Sequence, residues 1–171
     1  HTGGTNAMTV ASDGGVTFTK SLINEVADRT ATTSGNTIDF TIPASTRRIT
    51  ALMRGISTSG GERVIFQLGT AGGMKTSGYR GEIAGLKHTS TVQSNGFTGL
   101  NGFGVDTQHS PDAGDTIHGQ YVFTHMGNNI FIGAGNTCRG PDGQEFAHVA
   151  AGKVEFCLLY TSPSPRDNGR S

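Results

Sequence analysis

Hydrophobic residues recur at every second position in several separate runs. Ile38, Phe40 and Ile42 alternate with polar neighbours. Ile49, Ala51 and Met53 do so again, with Leu52 turned to the other side and Ile56 closing the run. Val64, Phe66 and Leu68 repeat the pattern, and Ile117, Gly119, Tyr121 and Phe123 alternate with His118, Gln120, Val122 and Thr124. Successive side chains of an extended chain point to opposite faces, so each run predicts a strand with one buried face. Asn128-Asn129 predicts a hairpin turn into residues 130–132, and Phe146, Val149, Val154 and Phe156 predict the last strands.

Nearer the start, residues 5–18 alternate small apolar and polar side chains around Asp13-Gly14, which predicts a short hairpin. Residues 22–33 predict a linker with one turn of helix at most, at Ala27-Asp28-Arg29. Between Tyr79 and Asp115 the alternation is broken by Gly81, Gly85, Gly96, Gly99, Gly102 and Gly104. Long loops are expected there, and with them any binding surface. No helical period alternates with the strand runs, which argues against a parallel α/β sheet. The expected fold is therefore all-β: an antiparallel β-sandwich, jelly-roll-like, with a short N-terminal β-hairpin extension. The expected division is a hairpin and linker over 1–32, a sandwich head over 33–156, and a tail over 157–171.

Composition narrows the function classes. The chain has 171 residues, 33% of them hydrophobic and 15% charged, with 27 glycines and no tryptophan. Gly, Thr, Ser and Asn are poor helix formers, so this surplus suits short strands joined by turns. The formal net charge is zero, and Arg47-Arg48 is the one basic doublet. No basic stripe is present to grip a phosphate backbone, which argues against a nucleic-acid partner. No apolar stretch approaches the roughly 18 to 20 residues a membrane-spanning helix needs, so no membrane insertion is expected.

Residues 37–79 carry a resemblance. Asp39-Phe40-Thr41-Ile42-Pro43, Arg47-Arg48-Ile49-Thr50, the turn from Gly55 to Gly60 and the loop from Gln67 to Tyr79 follow one another as in a head module of tailed-phage tail fibres and related virion proteins. In that module the pieces read DFTGIP, KRIT, GVSTNGTS and QLGDSGGIETTGY. This chain lacks the glycine before the Ile-Pro step and has Thr70 and Lys75 at the two acidic positions, so no role of those carboxylates carries over. The resemblance implies a virion structural protein of the phage tail, extracellular and homotrimeric, whose partner would be a bacterial surface glycan or protein. A ligand-free structural spacer or decoration domain is the alternative.

The tail reads differently. Residues 157–167, CLLYTSPSPRD, resemble one reading frame of a transposase-type sequencing adapter, so a non-native tail is expected from Cys157. On that reading a final strand-forming run is lost and a sheet edge is left open. His1 and the absence of a following basic-plus-apolar leader are read as an internal fragment. Of the two cysteines, Cys138 lies outside the tail, beside Arg139, Gly140 and Pro141 in an expected turn, so no disulfide framework is available.

Candidate chemistry is sparse. Gly55-Ile56-Ser57-Thr58-Ser59-Gly60 only approximates a nucleophile elbow and sits at a hairpin turn. A depolymerising tailspike is disfavoured, because neither a β-helix repeat nor an acid pair is evident. No enzyme activity, metal or cofactor is expected. Asp106, His109, Asp112 and Asp115 form the densest ionisable set; they read either as a cation or sugar site or as polar loop residues capping turns. Asn95-Gly96-Phe97 and Asn101-Gly102-Phe103 form a quasi-repeat. Aromatic rings beside amides pack on sugars, but the same rings can anchor a loop into the core. The candidate receptor or carbohydrate residues are Tyr79, Asn95, Phe97, Asn101, Phe103, Asp106 and His109.

Overall fold

The computed structural model describes residues 8–10, 16–18, 37–43, 46–58, 63–87, 89–97, 99–107, 114–140 and 146–156. The chain forms two compact units, His1–Ser45 and Thr46–Ser171. In the first, β1 (Met8–Val10) pairs antiparallel with β2 (Val16–Phe18), Met8 facing Phe18, which is the expected hairpin. Residues 37–43 belong to this unit and are not a strand, against the alternation of Ile38, Phe40 and Ile42; Phe40 is exposed. Alternation marks only a capacity to pair, and among the described residues no strand pairs with this segment.

The second unit contains β3 (Arg48–Ile56), β4 (Ile65–Phe66), β5 (Gly69–Thr70), β6 (Gly73–Met74), β7 (Arg80–Lys87), β8 (Val92–Gly96), β9 (Phe103–Gly104), β10 (Thr116–His125), β11 (Ile130–Gly140) and β12 (Phe146–Glu155). Six of them make one antiparallel sheet in the order β3-β10-β11-β12-β7-β8. Strands β10, β11 and β12 are joined as consecutive hairpins, and the earlier β7 returns beside β12, a Greek-key order. Strands β4 and β9 pair separately and, with the segments around them, cover one face of the large sheet. The fold is an antiparallel β-sandwich.

The alternation of β3 and β10 is realised as read: Met53, Ile117, Tyr121 and Phe123 are buried and Leu52 points out. Between the Ile56–Ile117 and Met53–Gly119 pairs, Arg54 and Gly55 of β3 stand opposite the single residue His118 of β10, a bulge. Gly55 takes a left-handed φ of 64° in it, and His118 Nδ1 accepts the Gly55 N–H at 3.2 Å. Asn128 and Asn129 both have positive φ, 48° and 59°, and the Ile130 N–H donates to the Gly127 carbonyl at 2.9 Å across them. That geometry is a type I′ turn, matching the twist of the strands it joins.

Two expectations fail for one reason. Residues 79–115 were expected to be loops, yet β7 lies inside the sheet and β8 at its edge. Cys138 and Arg139 were expected in a turn, yet both lie within β11. Glycines inside the strands, Gly81 of the expected loop region among them, are the floor on which large rings rest. A Cβ on Gly135 would stand 2.3 Å from Tyr121 Cδ2, one on Gly152 2.4 Å from Phe97 Cε2, and one on Gly81 2.6 Å from Phe97 Cδ2. Glycine in a strand interior signals close approach as often as it signals a turn. The rings it admits form the core. Phe103 is central, 5.1 Å from Tyr79, 5.3 Å from Phe123 and 6.0 Å from both Phe97 and Tyr121.

Candidate functional site

An open groove of about 650 Å³ lies between residues 76–82 and 99–101. One wall is the end of the loop over residues 67–79, and the other follows the first Asn-Gly-Phe segment. Both walls turn on glycines in left-handed conformations, Gly78 at φ 80° and Gly99 at φ 87°. Tyr79 is the staple of the first wall. Its hydroxyl donates to the Lys75 carbonyl at 3.0 Å and accepts the Leu68 N–H at 3.1 Å, while burial raises its pKa and keeps the proton on. The second wall is tied down by Phe97: its N–H donates to the Gly81 carbonyl and its carbonyl accepts the Leu100 N–H, both at 2.8 Å. The Gln67 side-chain amide donates to the Asn101 carbonyl at 2.8 Å, holding the Asn101 backbone without using its side chain. Hydroxyls of Thr76 and Ser77, the charged Arg80 and Glu82, and the apolar Leu100 complete the lining.

Of the six candidate residues among those described, Tyr79 and Asn101 line this groove. Phe97 and Phe103 are 0% exposed and Tyr79 is 3% exposed, so none of the three offers a ring face to a sugar. They anchor the loops into the core, the second of the two readings that the quasi-repeat allowed. Asn95 sits half-buried on β8 opposite Ile83, outside the groove. His109 and Asp112 lie outside the described residues.

Asp106 is not a surface ligand either. It is fully buried, and with Asp115 it serves Arg139, whose Nη2 donates to Asp115 Oδ2 and whose Nη1 lies 3.8 Å from Asp106 Oδ2. Arg139 escaped notice because it was placed in a turn; its inward position follows from the β11 alternation Gly133, Gly135, Thr137, Arg139. Beside it, Thr137 Oγ1 donates to the Val105 carbonyl at 2.8 Å. Among the described residues, no group of three His, Cys, Asp or Glu side chains could hold a metal ion.

His148 borders this ionic cluster, stacked 5.8 Å from Phe146 and 2% exposed. Burial, and then the positive charge of Arg139, lowers its pKa from 6.5 to about 4. Between those values the unfolded chain carries the proton and the folded chain does not, so stability falls as the pH falls through that window. The full loss is about 3 kcal/mol. The urea midpoint of the wild type is expected to drop across this range more steeply than that of His148→Leu. Parallel curves for the two proteins would disprove the assignment.

No protein-family model, curated protein or solved structure matches the chain.

Proposed function

We propose that the chain is a non-enzymatic β-sandwich domain of a phage virion, at a tail fibre or tail tip, and that it contributes to attachment to the host surface. The groove supports this reading. It brings the loop with the strongest tail-fibre resemblance, residues 67–79, against the Asn-Gly-Phe segment. Its volume and its mix of hydroxyl, amide, charged and apolar groups suit one or two sugar rings, whose hydroxyls need several donors and acceptors around an apolar patch.

Arrays of bacterial surface glycans test the reading. The wild type is expected to be retained by a subset of them, and the pair Arg80→Ala and Asn101→Ala to weaken retention by about tenfold or more. Retention that ignores both substitutions would move the site elsewhere. The burial of Phe97 and Phe103 favours a second reading, a ligand-free spacer of the virion. That reading expects no retention on any glycan.

A further inference from the structure

We infer that Asn101 is a site of spontaneous deamidation, by which an amide in the groove wall becomes a carboxylate. The inference uses the backbone around the Asn-Gly steps and is independent of what the groove binds. The chain has three such steps, at Asn95, Asn101 and Asn168, and the last lies outside the described residues. The reaction begins when the backbone nitrogen of the following residue attacks the asparagine Cγ. An N–Cγ bond forms, the Cγ–Nδ2 bond breaks, and ammonia leaves with the proton lost from the backbone nitrogen. Water then opens the cyclic imide at one carbonyl or the other, giving aspartate or its β-linked isomer. A following glycine speeds the attack, since it has no Cβ to crowd the nitrogen and its backbone turns freely.

The sequence makes Asn95-Gly96 and Asn101-Gly102 alike, and the structure separates them. To reach Cγ, the attacking nitrogen must swing round by rotation about the asparagine Cα–C bond. At Asn95 the sheet opposes that rotation: Asn95 lies within β8, paired with Ile83 of β7, and Gly96 is paired with Glu82. A paired strand holds its backbone in the extended region, with the next nitrogen directed along the strand and away from Cγ. Asn101 lies in a bend before β9, and among the described residues no strand pairs with it. It is exposed and lines the groove, and the Gln67 amide holds its carbonyl rather than its side chain. Rotation at Asn101 has that one exposed hydrogen bond to release, whereas rotation at Asn95 must open the end of β8. The product places a new negative charge on the wall that faces Arg80 and Glu82.

Incubation of the full chain at mildly alkaline pH, quenched in acid and followed by peptide mass spectrometry, tests this. Cleavage after Phe97 puts the two asparagines in different peptides. In the folded chain the Asn101 peptide is expected to gain the mass of aspartate at least about tenfold faster than the Asn95 peptide. In urea the two rates should agree within about twofold, because the difference belongs to the fold. Asn101→Gln, whose side chain must close a larger ring, should show no gain in that peptide. Equal rates in the folded chain, faster conversion at Asn95, or no conversion at Asn101 would overturn the inference. So would a gap that persists in urea, which would assign it to local sequence, or a gain in the Asn101→Gln peptide, which would place the change at another residue.

Discussion

Arg139→Met is expected to destabilise the domain by about 3 to 5 kcal/mol, the usual cost of removing one partner from a buried ionic group. Arg139 is 3% exposed, and its guanidinium faces two carboxylates that are themselves buried, Asp106 and Asp115. Methionine preserves most of the volume and removes the charge, leaving both carboxylates without their cation. The penalty therefore comes from electrostatics and desolvation rather than from a cavity. A double-mutant cycle by urea unfolding separates the two. Adding Asp106→Asn to Arg139→Met should cost much less than Asp106→Asn costs in the wild type, because the carboxylate has already lost its counter-ion. A loss below about 1 kcal/mol for Arg139→Met would mean that the cluster is solvated, contrary to its burial.

The second large effect is a single added methyl. Gly152→Ala should cost about 3 kcal/mol, at the upper end of ordinary overpacking. The new Cβ would fall 2.4 Å from Phe97 Cε2 and 2.5 Å from the Arg80 carbonyl oxygen. Phe97 is fully buried, and its backbone is tied to Gly81. The Arg80 carbonyl belongs to β7, whose register with β12 sets Gly152 opposite Gly81. Neither neighbour can withdraw without shifting a strand or the wall of the groove. Gly114→Ala is the control, since its Cβ meets nothing within 4 Å, and it should change stability by less than about 0.5 kcal/mol. Equal effects of the two substitutions would refute the ring-on-glycine packing. If the packing holds, Gly152→Ala should also weaken any ligand of the groove.

The two predictions draw on features of different legibility. Gly81 lay where loops were expected, while Gly135 and Gly152 carried no expectation; the closeness of all three to Phe97 and Tyr121 depends on rings that arrive from elsewhere in the chain. Arg139 followed a polar, glycine-rich run with too few apolar residues to display a period, so its inward direction was hidden. The two aromatic residues of the Asn-Gly-Phe repeat could be read either as sugar platforms or as anchors. Nothing local separates these, because exposure is a property of what covers a ring. The groove could not be read at all: its walls lie about twenty residues apart in the chain and meet because β7 and β8 pair.

What the sequence determined by itself was local. Period-two alternation made β3 and β10 strands and chose their inner faces, two asparagines made the turn at Asn128-Asn129, and Met8–Val10 paired with Val16–Phe18 as the first hairpin. These follow from backbone geometry and the conformations each residue tolerates, which act over a few positions. The tertiary structure alone decided that Phe97 and Phe103 are core, that Asp106 serves Arg139, and that Ile38, Phe40 and Ile42 form no strand. It also left Leu52, Leu86, Val92 and Val149 uncovered in the single chain. Burial and pairing depend on contacts between residues far apart in sequence, and a periodicity cannot report what lies on the other side.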